Sequence, residues 1–203
     1  MTTEADARQL AHAMVKAGQL AGVKTEALLT RMDAPLGRAV GNALEVREAI
    51  ETLRGGGPTD LREHCLAIGG HMVRLGRRAT SEYALSEAMA ELAEMLDNGK
   101  GLAKFRELVE AQGGDISMVD DPDKLPQARI KEDVLAEKGG YIAQINALLV
   151  AQASLQLGAG RARKTDPVDP AVGVIVHRKV GEQVKAGDIM FSIHANDESL
   201  LAQ

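Results

Sequence analysis

The segment 32–48 has the residue types of an oxygen-rich ligand loop. Pro35, Gly37 and Gly41 indicate a loop between a strand and a helix, the usual place for a ligand site in an α/β sheet. Backbone carbonyls in such a loop, joined by one carboxylate from the helix, suit a hard cation that takes oxygen ligands. The same residues also describe a structural turn, and taken alone they favour that simpler interpretation.

Two other groups of polar residues could do chemistry, and each has a simpler interpretation. His64 and His71 flank Cys65 on one predicted helix, but their seven-residue spacing separates them by about 10.5 Å, too far to share one tetrahedral ion. We therefore favour packing or surface roles for all three. The segment 158–164 combines two glycines with three basic side chains. It predicts either an anion-binding loop or, as the favoured alternative, a solvated loop. Spacing alone nominates no nucleophilic site.

Composition excludes several classes of function. The 203 residues include 24 Lys and Arg against 29 Asp and Glu, for a formal net charge of −5. This acidic balance argues against non-specific binding to nucleic acid or anionic membranes, and 2% aromatic residues leave few platforms for stacking. The single cysteine, Cys65, fits a reducing compartment. No segment reads as a membrane span or a secretion signal, so we expect a soluble, cytoplasmic protein.

The first 114 residues are predicted to be mostly helical. Apolar spacing predicts helices over 3–17, over 43–53, from Pro58, from about residue 81, and around Phe105. Their candidate N-caps are Thr2 or Thr3, Asn42, and Thr80 or Ser81. Between the first two helices, residues 24–32 have the pattern of a buried strand.

After residue 114 the composition changes. Residues 115–128 are rich in Asp and Pro and predict a connector. Beyond it the pattern is mostly β: a hairpin with arms 129–137 and 141–145, a short helix over 147–157, and strands over 171–177 and 189–193. We expect an α/β (α+β) fold, with helices packed on part of a mixed sheet in 1–114, the connector 115–128, and a β-rich lobe in 129–203.

Short motifs run along nearly the whole chain. They are Lys24-Thr25, Met32-Asp33, Pro35-Leu36-Gly37, 39–51, 111–115, 119–122, 157–161, Lys179-Val180-Gly181 and 193–196. In this combination they resemble the pyrimidine-nucleoside and thymidine phosphorylases. The resemblance spans essentially this entire sequence but only the C-terminal half of a family member.

This resemblance implies a reaction and a site. The reaction is reversible phosphorolysis, in which phosphate displaces a pyrimidine from C1′ of a ribosyl or deoxyribosyl group. Positioning of the phosphate and stabilisation of charge on the departing base would accelerate it. The site is a potassium ion, whose ligands match Leu36, Ala39 and Glu48. Leu36 and Ala39 can offer only carbonyl oxygens, whereas Glu48 offers a carboxylate.

The resemblance also implies what lies elsewhere in a family member. The phosphate-binding loop, the groups that bind the pyrimidine, the remaining potassium ligands and the helical domain that forms homodimers all match upstream positions. We therefore expect no catalytic or substrate-binding residue in this chain and little or no activity from the chain alone. We also expect an exposed apolar face that aggregates or associates with an N-terminal partner chain.

The segment 179–188 independently resembles half of a biotinyl or lipoyl carrier motif. It predicts a β-rich lobe resembling a barrel-sandwich hybrid and, as an alternative function, a non-catalytic binding or carrier-like module. Carriers present an acceptor lysine at a hairpin after the second strand. Here that strand leads into residues 194–197, which contain no lysine. We therefore interpret this similarity as shared architecture.

Overall fold

A computed structural model describes residues 3–77, 85–161 and 163–201. The helices are α1 (Glu4–Leu20), α2 (Asn42–Leu53), α3 (Thr59–Gly76), α4 (Leu85–Asp97), α5 (Lys100–Ala111), α6 (Ser117–Asp120) and α7 (Ala147–Ser154). The strands are β1 (Ala39–Val40), β2 (Ile130–Leu135), β3 (Gly140–Tyr141), β4 (Gly173–Val176), β5 (Gln183–Val184) and β6 (Ile189–Ala195). None of the described helices has the length and apolarity needed to cross a membrane.

Helix prediction succeeds for all five helices expected before residue 114. Thr3 caps α1 as predicted, because its side-chain oxygen accepts a hydrogen bond from the Asp6 N–H at 3.2 Å. Asn42 is not a cap, however: Gly41 takes that position and Asn42 is the first residue of α2. The Asn42 amide instead donates to the Ala159 carbonyl at 2.7 Å, so a tertiary contact uses the side chain. The candidate caps Thr2, Thr80 and Ser81 lie outside the described residues.

The described strands confirm an α+β fold and form two sheets. The larger sheet has the order β1-β4-β6-β2, and β3 pairs with β5. Every pairing is antiparallel, so the sheet is not mixed as predicted, and the described strands do not close into a barrel. A core of small apolar side chains lies around β4 and β6, with Val172 and Ala195 fully buried. These side chains stabilise the sheet by removing apolar surface from water.

The predicted hairpin of 129–137 with 141–145 is wrong. Residues 130–135 form β2, which pairs with β6 from Ile130 opposite Ala195 to Leu135 opposite Ile189. The second arm contributes only β3 to the small sheet. The longer β6 offers β2 more partners than the two residues of β3 could, so long-range pairing outweighs the local turn signal.

The predicted strand over 24–32 is also wrong, because this segment has no regular secondary structure. A strand needs a neighbour to satisfy its backbone, and the described sheet ends at β1 and β2 instead. A side-chain contact connects the segment to α3, because Glu26 Oε2 lies 2.6 Å from His71 Nδ1 on that helix. Met32 is 85% exposed, so the apolar residues of this segment are not the interior of a sheet.

The end of the predicted 147–157 helix is close to its expected place. Regular helix α7 stops at Ser154, and a π-helical turn continues over Leu155–Ala159. Gly158, with a φ of 104°, ends the helical path.

The connector 115–128 packs against the end of α2. Arg54, which follows α2, donates to the Val119 and Asp120 carbonyls at 3.0 and 2.9 Å. The domain boundaries at 115 and 129 remain predictions.

Candidate functional site

The turn that carries the predicted ligands is anchored to the sheet. It precedes β1, which pairs with β4 through Ala39 opposite Ile175 and Val40 opposite Val174. The backbone N–H of Val176 donates to the Arg38 carbonyl at 2.7 Å and extends this pairing by one residue. The turn is therefore held in place by a strand that lies more than a hundred residues later in the chain.

Glu48 binds the backbone of this turn. Because α2 follows β1 directly, its second turn lies beside the segment, and Glu48 Oε1 accepts the N–H groups of Arg38 at 2.8 Å and Ala39 at 3.1 Å. Gly37 is buried with a φ of +67°, and a Cβ at this position would overlap Glu48 Oε2. Glycine at position 37 is thus needed both for the backbone conformation and for the space beside the carboxylate.

The electrostatic environment of Glu48 favours an added positive charge. Burial raises the pKa of Glu48, and the negative charge of Asp60 adds to this shift. The N–H bonds from Arg38 and Ala39 and the positive charge of Lys179 oppose the rise in pKa but do not cancel it. The ionised carboxylate is therefore less stable here than in water.

Asp60 and Lys179 hold the turn from two other directions. Asp60, at the start of α3, accepts the Gly37 N–H at 3.2 Å. Lys179, three residues after β4, donates through Nζ to the Pro35 carbonyl at 2.8 Å, to the Gly37 carbonyl, and to Asp60 Oδ2 at 2.9 Å. Burial raises the pKa of Asp60, but the hydrogen bond and charge of Lys179, together with the N–H bonds from Leu61 and Gly37, outweigh burial and hold the pKa below its ordinary value.

Three oxygens at the turn have the chemistry of cation ligands. Ala39 lies opposite Ile175 of β4, and its N–H donates to Glu48 rather than to that strand. Among the described residues, no hydrogen bond reaches the Leu36 carbonyl or Glu48 Oε2. Carbonyl and carboxylate oxygens are the types of ligand that suit a hard cation such as potassium.

The structure brings some of the predicted ligands into contact and adds residues that sequence reasoning missed. Glu48 bonds directly to Ala39, whereas Leu36 is exposed and adjoins Gly37, beside the carboxylate. Asp60 and Lys179 were not predicted to belong here. The motif around Lys179 is visible in the sequence, but no local signal connects it with a turn 142 residues away.

The other polar residues considered as candidate sites make ordinary structural contacts in the fold. His71 pairs with Glu26, and Cys65 is a free, exposed thiol. The described residues include no group of three or more His, Cys, Asp or Glu side chains that could hold a metal ion. In the 158–164 loop, the Gly158 carbonyl accepts from the Asp169 N–H and the Arg163 N–H donates to Asp166. The Asp166 carboxylate therefore occupies one of the backbone N–H groups that an anion would need.

A polar network on the face of the larger sheet was also missed. Ser192 on β6 donates to Asp133 Oδ1 on β2 at 2.5 Å, and His177 Nε2 lies 2.7 Å from the same hydroxyl oxygen. The serine lies between the carboxylate and the imidazole, whereas a hydrolytic triad places the imidazole between the other two. This arrangement cross-links β2, β6 and the end of β4.

Comparison of the sequence with known proteins identifies the family to which it is related. Residues 1–102 match the family described as "Glycosyl transferase family, a/b domain", and residues 141–203 match "Pyrimidine nucleoside phosphorylase C-terminal domain". The chain is 48% identical over 200 residues to a pyrimidine-nucleoside phosphorylase of Bacillus subtilis (strain 168), covering 98% of this chain and 46% of that protein. It is 47% identical over 195 residues to a protein of the same name from Geobacillus stearothermophilus, covering 96% and 44%.

A third relative from Staphylococcus aureus (strain bovine RF122 / ET3-1), also named pyrimidine-nucleoside phosphorylase, is 44% identical over 200 residues, with 98% and 46% coverage. The chain thus spans somewhat less than half the length of these curated relatives, while they match nearly all of it. Through the a/b-domain match over half of its length, the chain belongs to the glycosyl transferase family, and its residues 141–203 are similar to the C-terminal domain of pyrimidine nucleoside phosphorylases.

Proposed function

We propose that the protein takes part in the reversible phosphorolysis of a pyrimidine nucleoside, releasing the free base and forming ribose or deoxyribose 1-phosphate. This chain contributes a potassium site at the turn 35–39. The observation that carries the proposal is the half-buried Glu48 carboxylate, which binds the turn through one oxygen and leaves the other without a hydrogen-bond donor among the described residues. The names of the relatives support the reaction.

In this proposal the chain's own residues fix the geometry around the ion. Glu48 orients the Arg38 and Ala39 amides with one oxygen and offers its second oxygen to potassium, together with the Leu36 and Ala39 carbonyls. A bound potassium ion would supply a positive charge that stabilises the half-buried carboxylate and stiffens the turn. Phosphate acts as co-substrate and, with the nucleoside, binds through parts of the family's length that this chain does not span.

The proposal extends to partners and location. The active assembly contains the half of the family's length that this chain lacks and forms a homodimer through it. Exposed apolar side chains on α1 and in 23–32 are available to contact that half: Leu10, Met14, Leu20, Val23, Leu28, Leu29 and Met32. The free thiol of Cys65 and the enzyme relatives support a cytoplasmic location.

Complementation tests the reaction. The purified chain is incubated with uridine or thymidine and phosphate, with and without the amino-terminal half of the Bacillus subtilis relative, and release of free base is followed. We expect base release only when both halves are present. Turnover by the chain alone, or no turnover when the added half is shown to be folded and bound, would contradict the proposal.

Thermal unfolding tests the cation site without catalysis. Potassium chloride should raise the Tm of the chain above that in tetramethylammonium chloride at equal ionic strength, because an ion that binds only the folded state stabilises it. Glu48→Gln should remove this difference. Glu51→Gln is the matched control, since Glu51 is exposed on the same helix, and it should keep the full potassium effect. An equal potassium effect in both variants would exclude Glu48 as a ligand.

A further inference from the structure

Lys179 is an internal cation at the turn. An ammonium group has three N–H donors, and Lys179 directs them to three acceptors: the Pro35 carbonyl, the Gly37 carbonyl and Asp60 Oδ2. Its side chain is 19% exposed. The backbone just before it is also tied to the turn, because Arg38 donates to the His177 carbonyl. The ammonium therefore has no spare donor and little freedom to move toward another anion.

The charges around the turn do not balance. Glu48 and Asp60 contribute two negative charges. Lys179 contributes one positive charge, and it forms an ion pair with Asp60. Arg38 also lies at the turn, but its guanidinium is within 3.8 Å of Glu182, so this pair adds no net charge. Glu48 bonds only to neutral N–H groups. One negative charge, that of Glu48, is left over.

We infer that Lys179 determines the charge of the ion that this turn accepts, restricting the proposed site to a monovalent cation. One added positive charge neutralises the cluster. A divalent ion would leave a net positive charge beside a fixed ammonium. The inference rests on the proposed cation site and adds a specificity-determining residue to it.

The size of the effect follows from the charge product. Repulsion between Lys179 and a bound ion doubles when the ion carries two charges instead of one. Removing the lysine charge therefore favours a divalent ion over a monovalent one, whatever it does to the affinity of both. It also leaves two carboxylates with carbonyl oxygens at one turn, a donor set that calcium prefers. We expect the ratio of calcium to potassium affinity to rise by roughly tenfold or more.

The test uses the complete 203-residue chain and needs no catalysis. Apparent dissociation constants for potassium and calcium are obtained from the dependence of Tm on the concentration of each chloride, at ionic strength held constant with tetramethylammonium chloride. Lys179→Met should shift the ratio toward calcium, and Lys179→Arg should keep the preference for potassium. Lys185→Met is the control, because Lys185 is exposed on the turn before β6, and it should match the unmodified chain.

A second variant separates charge from structural damage. Lys179→Met combined with Asp60→Asn again leaves one negative charge at the turn, so it should regain the potassium preference despite lacking the lysine. Asp60→Asn alone leaves no net charge and should weaken potassium binding without gaining calcium binding. It serves as the test if Lys179→Met does not fold.

The outcomes separate a failure of the inferred role of Lys179 from a failure of the proposed cation site. If the unmodified chain binds potassium and Lys179→Met keeps its ion preference, Lys179 does not set ion charge and only the inference fails. The inference also fails if the double variant prefers calcium as strongly as Lys179→Met does. If neither ion stabilises any of these variants or the unmodified chain, the cation site itself is excluded.

Discussion

The amino-terminal region, 4–32, and the region around β4 contain similar apolar side chains but use them differently. Helix α1 has no buried residue, and Leu20 is 82% exposed. In contrast, Val172, just before β4, and Val176, at its end, are completely buried, each with 0% exposure. Apolar character therefore describes both regions, but only the second has neighbours on every side within the described chain. Burial, and with it stability, depends on those neighbours rather than on the residue types.

The largest expected difference is between the amino-terminal region and a fully buried position on α2, in the response to truncated side chains. Ile50 on α2 is fully buried, and Ile50→Ala should lower the free energy of unfolding by about 2–5 kcal/mol, because it removes packed methyl groups and leaves a cavity. Leu20→Ala should change it by less than about 0.5 kcal/mol. Urea denaturation of both variants measures this, and equal losses would show that α1 is packed in solution.

A smaller difference is expected for glycine substitutions. Gly173 has a φ of 156°, and a Cβ there would collide with the Val40 carbonyl and the Gly41 Cα across the β1–β4 pair. Gly173→Ala should cost about 1–3 kcal/mol through backbone strain and loss of this close approach. Gly22→Ala shares the positive φ but meets no atom within 4 Å, so it should cost less. Thermal unfolding ranks the two, and the reverse order would contradict the tight β1–β4 contact.

Acid sensitivity should come from the sheet rather than from the amino-terminal region. Burial lowers the pKa of His194 on β6, and the charge of Lys131 lowers it further, while Asp133 opposes the shift. The unfolded chain therefore binds this proton first, so stability should fall as the pH drops from about 6.5 toward the folded pKa of His194. His194→Gln should flatten the fall in Tm over this range. His12→Gln, on the exposed face of α1, should follow the unmodified chain.

The smallest effect on stability is expected for polar substitutions in the amino-terminal region. Leu28 and Leu29 are 45% and 43% exposed, and the combined change of both to Gln should alter the free energy of unfolding by less than about 0.5 kcal/mol per site. It should nevertheless lower the fluorescence of a dye that binds apolar surface and reduce self-association. Val172→Gln should instead unfold the chain. Unchanged dye binding in the Leu28 and Leu29 variant would place the accessible apolar surface elsewhere.

Helix positions were predictable because their signals are local. The spacing of apolar residues and the Thr3 cap involve residues within one or two helical turns of each other. The β4 and β6 strands were predictable from short β-branched and apolar runs. Pairing was not, because the partner of β2 is β6, about sixty residues away, and a nearby Gly-Gly turn suggested a different partner.

The candidate site also combines local features, which the sequence predicts, with long-range contacts, which it does not. Pro35, Gly37 and Glu48 lie within one segment, so the sequence alone supported an oxygen-rich turn beside a helical carboxylate. Lys179 reaches that turn from the loop after β4, and Asp60 reaches it from α3. Their charges make it a cluster with one negative charge to neutralise. The difference has a physical cause. Backbone conformation and helix spacing are set by neighbouring residues, whereas burial and the balance of charges depend on which distant groups the fold brings together.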